Sequence, residues 1–339
     1  MPQLNLGTLL ENIVILEATR LVLAQAPEER LLFASSFAMP PLTECWAGDG
    51  TPPADFSQGS LARLAQLPQL ALGGEEDGTI RQFWALCWNN APPRASALPI
   101  CRYRKIPRNS HRRMNGGPNG ALLASMLAFQ QGRAMRLWVN DDTQDPRYGE
   151  ESPNTPTTVS ECPQTLKYAA RLVGVEPPDQ LADCPPWRFP HSISTPPGSL
   201  SEWLSQVGAG DGSPRIGFLD PFMYGAGDDE ARVRPEDHQL WLGTLADRCN
   251  RVLSVTFSGR AHANPDPRVL AFHNDGVEQY PYSLMFSHGY FRTGVKIRWP
   301  AESIEVLTTT LQERVENVWG RWSPGHMTRL EIQRNAIIV

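Results

Sequence analysis

The spacing of apolar residues changes period repeatedly along this chain. Over residues 4–26, Leu9, Leu10, Ile13, Val14, Leu16, Leu21 and Leu23 recur at the interval of a helix, and Pro27 with Glu28-Glu29-Arg30 stops the run. Leu31–Ala34 then reads as a short buried strand, residues 38–60 as loop and residues 61–90 as a weaker helical stretch. Residues 91–118 form a Pro-rich, basic connection. A helix follows with Asn119 as cap, Leu122, Leu123, Met126, Leu127 and Phe129 as its face and Gly132 at its end. Met135–Val139 is a strand, Cys162–Val173 a helix closed by Gly174, Trp187–Phe189 a short strand and Leu200–Val207 a helix. Arg215–Leu219 is a strand, His238–Cys249 a helix and Arg251–Phe257 a strand. Ser283–His288 and Gly294–Trp299 form a terminal hairpin, and Ile304–Trp319 is a long amphipathic helix.

Strands alternating with helices imply an α/β fold, with an open, mostly parallel sheet and helices on both faces. Ligands of such sheets sit outside the carboxyl ends of the strands. The residues following each strand are therefore the candidates for chemistry: Ser35 to Pro41, Asn140 to Asp142, Pro190 to Ser194, Asp220 to Tyr224 and Ser258 to His262.

Composition narrows this picture. With 339 residues, 41% hydrophobic and 20% charged, the chain can bury a large core. The 31 Pro and 27 Gly, together about a sixth of the chain, exceed ordinary usage and imply long, punctuated loops. A net charge of −5 argues against a surface coated for nucleic acid. No apolar run reaches the roughly 18 residues of a membrane span, and the N-terminus has no signal-peptide pattern. Cys45, Cys87, Cys101, Cys162, Cys184 and Cys249 are scattered singly, the pattern of reduced thiols in a cytoplasmic protein. The seven histidines show no metal-ligand spacing, so no metal is expected.

Three groups of residues carry candidate chemistry. Asp141 and Asp142 directly follow a strand, where a carboxylate either takes the two hydroxyls of a ribose or caps the next turn. Asp220-Pro221-Phe222-Met223-Tyr224 follows an apolar strand. There the Asp could accept from an exocyclic amino group between the flat faces of Phe222 and Tyr224, or the segment could be a structural turn. Arg102, Arg104, Lys105, Arg108, Arg112 and Arg113 crowd one stretch, which either steers phosphate-bearing partners or is a solvated loop. His262 and His288 lie near strand ends and are candidates for proton transfer.

The order of these pieces resembles the methyltransferase-like family of three-Cys-motif partner proteins and, more distantly, the RlmJ-type enzymes that methylate adenine N6 in ribosomal RNA. Ser35-Ser36-Phe37-Ala38-Met39-Pro40-Pro41 occupies the place of the family's D-G-F-A-G-P-G turn. Gly116-Gly117-Pro118-Asn119-Gly120-Ala121-Leu122-Leu123 sits at its G-S-P-L-I-A-L stretch, Leu137–Asp141 at its acidic strand and Phe218-Leu219-Asp220-Pro221-Phe222 at its F-x-D-P segment. Val255-Thr256-Phe257 sits at the strand that follows, and Gly294–Trp299 with the helix at 304–319 resembles the RlmJ-type ending.

The resemblance implies a Rossmann-like, class I methyltransferase-like fold binding S-adenosylmethionine. Its cofactor residues would be Ser35, Phe37, Ala38, Asp141, Asp142 and Ser192, and its catalytic residues Asp220, Pro221, Phe222 and Tyr224. Nucleic acid would meet the basic segment from Arg102 to Arg113. The departures are specific: Ser35 replaces the first-strand Asp, Met39 and Pro41 replace glycines that let backbone approach the cofactor, and Pro190-His191-Ser192 lacks an acidic residue. Three readings follow. One is a divergent methyltransferase acting on a nucleic-acid base. The other is a cofactor-less binding or assembly protein with a protein partner, in the setting of a bacterial or phage defence system. A third is a different enzyme using His262 or His288 as base. The organisation is then 1–44 as first helix and strand, 45–118 as an inserted region, 119–322 as the remainder of the core and 323–339 as a C-terminal tail.

Overall fold

The computed structural model describes residues 6–27, 29–35, 42–45, 83, 86, 100–101, 115–118, 120–139, 166, 169–176, 212–219, 223–224, 232–233, 235–257, 278–288, 291–322 and 330–336. The chain enters through helix α1 (Leu6–Gln25), strand β1 (Leu31–Ser35) and three short strands, β2 (Leu42–Cys45), β3 (Ile100–Cys101) and β4 (Asn115–Pro118). Helix α2 (Gly120–Gln130) leads to β5 (Met135–Val139). Then come β6 (Arg215–Leu219), β7 (Met223–Tyr224), β8 (Arg232–Val233), helix α3 (Pro235–Ala246) and β9 (Val252–Phe257). The end of the chain forms β10 (Tyr282–His288), β11 (Phe291–Arg298), helix α4 (Ala301–Trp322) and β12 (Glu331–Ala336).

The result is a mixed α/β fold around a seven-stranded sheet of order β12-β10-β11-β9-β6-β1-β5. Strands β5, β1, β6 and β9 are mutually parallel, whereas the β9–β11, β11–β10 and β10–β12 ladders are antiparallel. The predicted hairpin of β10 and β11 forms, with Met285 opposite Gly294. The expected tail is different: Glu331–Ala336 adds the edge strand β12 instead of trailing away. The expected loop at 38–60 contains β2, and the expected connection at 91–118 contains β3 and β4, which flank β2 in a separate sheet. Their two- to four-residue lengths give no periodicity to read. The strand expected at Trp187–Phe189 and the helix expected at Leu200–Val207 lie outside the described residues.

Side chains alternate across the strands and build two cores. Phe33, Ile216, Phe218, Leu253, Val255, Phe286 and Val295 face α1, α2 and α4. Leu32, Ala34, Leu219 and Val252 face α3 through Trp241, Leu242 and Leu245. Every residue of α1 from Leu10 to Thr19 is buried, because the sheet, α2 and α4 surround it. Its buried Glu17 is neutralised by Arg20 at 2.8 Å and by Arg314 of α4 at 3.9 Å. Gly132 ends α2 at φ +69°, with Arg133 N–H donating to Ala128 O at 2.8 Å and Gly132 N–H to Phe129 O at 2.9 Å. Gly174 repeats the motif at φ +72° with Val175 N–H donating to Ala170 O at 2.9 Å. Both stops were legible as glycines.

Gly217 has a different role. A Cβ there would lie 2.2 Å from Leu245 Cδ1 and 3.1 Å from Trp241 Cζ2, so its absence lets α3 lie close on β6. Gly217→Ala is expected to destabilise the fold by about 1–3 kcal/mol, because two buried side chains must shift. Urea unfolding followed by tryptophan fluorescence measures this, and an unchanged midpoint would contradict the packing described.

Candidate functional site

The winding of the sheet locates its crevice. From β1 the chain crosses through α2 to β5 on one side, and from β6 it crosses through α3 to β9 on the other. α2 packs in the core with α1, while α3 packs on the opposite face. The direction of winding therefore reverses between the adjacent strands β1 and β6. In open parallel sheets this reversal separates the two connections and leaves a crevice at the carboxyl edge. Ser35 ends β1 opposite Phe218 of β6 and Val139 of β5, and Leu219 ends β6 opposite Thr256 of β9.

The opposite edge is tied shut by four arginines. Arg133 Nη1 donates to Leu23 O at 3.2 Å and Nη2 to Ala26 O at 2.5 Å and to Glu29 O, closing the carboxyl end of α1. The fully buried Arg215 donates to Thr244 O at 3.0 Å and Leu245 O at 2.9 Å near the end of α3, with its guanidinium 5.6 Å from the Trp138 ring centroid. Arg251 pairs with Glu29, and Arg298 donates to Cys249 O at 3.1 Å and Gln279 O at 3.2 Å. Tyr280 donates its hydroxyl to Leu242 O at 2.8 Å, and burial holds its pKa far above that of a free phenol. With its side chains engaged in this way, this edge is structural, and the carboxyl edge is where open parallel sheets place their ligands.

The sequence-predicted residues fall unevenly on this frame. Ser35 is at the switch point, buried at 2% exposure, so a neutral hydroxyl ends β1. Tyr224 belongs to β7 and pairs with Val233 of β8, just beyond β6. Asp220, Pro221 and Phe222 follow β6 directly, and Asp141 and Asp142 follow β5 after one residue. These five lie outside the described residues, as do Phe37, Ala38, Ser192 and His262. Arg102, Arg104, Lys105, Arg108, Arg112 and Arg113 also lie outside them, but the ends of their segment are placed. Cys101 pairs beside Thr43, and Asn115 pairs beside Cys45 on the other flank of β2.

His288 is not brought to the crevice. It ends β10, three strands from β6, or about 14 Å at the usual strand spacing. Its ring lies 4.8 Å from that of Trp319 of α4, in the α4-side core. Sequence reasoning passed over His238 and Thr256, both buried on the α3 side. The available signal was the polar Ser254 and Thr256 alternating with apolar residues in Val252–Phe257, which marks one side of the strand as polar.

Among the described residues, no group of three or more His, Cys, Asp or Glu could hold a metal ion. No helix among them is long and apolar enough to cross a membrane. No family model matches the chain, and no curated protein matches it. The chain is similar to the crystal structure of protein LPL1258 from Legionella pneumophila str. Philadelphia 1, which carries the family-model name DUF519. The likeness has a TM-score of 0.50 at 10% identity and covers 99% of this chain and 98% of that one. It is a likeness of fold over the whole architecture.

Burial also governs the one thiol described. Cys249 is 4% exposed, its Sγ lies 3.1 Å from Ser213 O, and desolvation raises its pKa above 9.0. The neutral thiol is thus favoured in the folded state. The associated stability is complete below about pH 9 and lost as pH rises toward the folded value. The urea midpoint is expected to hold up to about pH 9 and to fall as pH rises beyond it, and Cys249→Ala to flatten that fall. Parallel pH profiles for the two proteins would refute the assignment.

Proposed function

We propose that this chain is a divergent methyltransferase-fold protein that binds S-adenosylmethionine at the carboxyl ends of β1 and β5 and methylates an amino nitrogen of a nucleic-acid base. The observation that supports it best is the strand order β10-β11-β9-β6-β1-β5, with β11 alone reversed within it and the winding switch between β1 and β6. That order resembles the class I methyltransferases. The donor set fits the cofactor in part: α2 begins at Gly120, directly after β4, and its first N–H groups would be available to a ligand carboxylate. Asp141 and Asp142, just after β5, would take the ribose hydroxyls.

The bound cofactor supplies an electrophilic methyl group, and the remaining work belongs to side chains of this chain. Ser35, Phe37, Ala38 and Ser192 would line the cofactor. Asp220, following β6, would accept a hydrogen bond from the target amino group and orient its lone pair. Pro221 would fix the turn, while Phe222 and Tyr224 sandwich the base and exclude water. Positioning of this kind accounts for much of the acceleration of a transfer that needs little acid–base help. The basic segment from Arg102 to Arg113 would hold the phosphates.

One observation favours a second reading, that of a binding protein without cofactor: β1 ends in the neutral, buried Ser35 instead of a carboxylate. Isothermal titration with S-adenosylmethionine and S-adenosylhomocysteine separates the two. Binding is expected, with Asp141→Ala weakening it roughly 10- to 100-fold, as loss of hydrogen bonds to a charged group does. Asp220→Ala should bind normally and lose turnover. Absence of heat with both ligands would leave the cofactor-less reading. Neutralising Arg102, Arg104 and Lys105 to Gln together should lower the salt slope of oligonucleotide binding by about 0.7 per lost phosphate contact, and an unchanged slope would remove that segment from the interface.

A further inference from the structure

We draw no further inference here: the strongest candidate, the fully buried guanidinium of Arg215 under the end of α3 at the amino edge of the parallel strands, keeps its Nε and Nη2 without an acceptor, but nothing among the described residues shows a cavity beside it that an anion could enter.

Discussion

The reversal of winding between β1 and β6 is the constraint on which the rest of this molecule depends. A crossover between parallel strands is right-handed, so a connection moving one way along the sheet lies on one face and a connection moving the other way lies on the opposite face. Two adjacent strands that send their chains in opposite directions cannot cover the edge between them. In open sheets that switch point is where a crevice forms, and here it falls beside Ser35 and Leu219. It is also why α1, α2 and α4 share one core while α3 builds another.

The two edges of the sheet are treated in opposite ways. At the amino edge of the parallel strands, Arg133, Arg215, Arg251 and Arg298 reach carbonyls or a carboxylate that the helix ends would otherwise leave open. Burying a guanidinium as completely as that of Arg215 is tolerable only because carbonyl oxygens and the Trp138 ring replace part of its water. The carboxyl edge holds the neutral, buried Ser35 and the Thr256 hydroxyl, which meets no hydrogen-bond partner.

Much of the architecture was legible in the sequence, because the central elements are buried and periodic. The run from Leu9 to Leu23, the strands at 31–34, 135–139 and 215–219, and the glycine stops at 132 and 174 appear where spacing and turn chemistry put them. The small sheet of β2, β3 and β4 was not legible, since strands of two to four residues exist only through their partners. β12 was missed for a related reason. Its residues, Glu331 to Ala336, are largely polar and earn their strand conformation by pairing along β10. Of the residues expected at strand ends, Ser35 closes β1, while Asp220 lies outside the described residues. Reasoning from strand ends also offered His288, which the antiparallel half of the sheet carries three strands away.

What the sequence determined by itself was local: which segments can bury a face, where backbone must turn, and that the chain alternates strand with helix. Those properties depend on neighbours within a few residues, so they can be read in order. The tertiary structure alone decided which strands are adjacent, on which face each helix lies and therefore where the crevice opens. It also decided that Arg215 closes the end of α3. These contacts join residues 29 and 30 positions apart through packing that no local periodicity encodes. For that reason the hydrogen bond from Trp241 of α3 to Ser254 of β9 is likewise visible only in the folded chain.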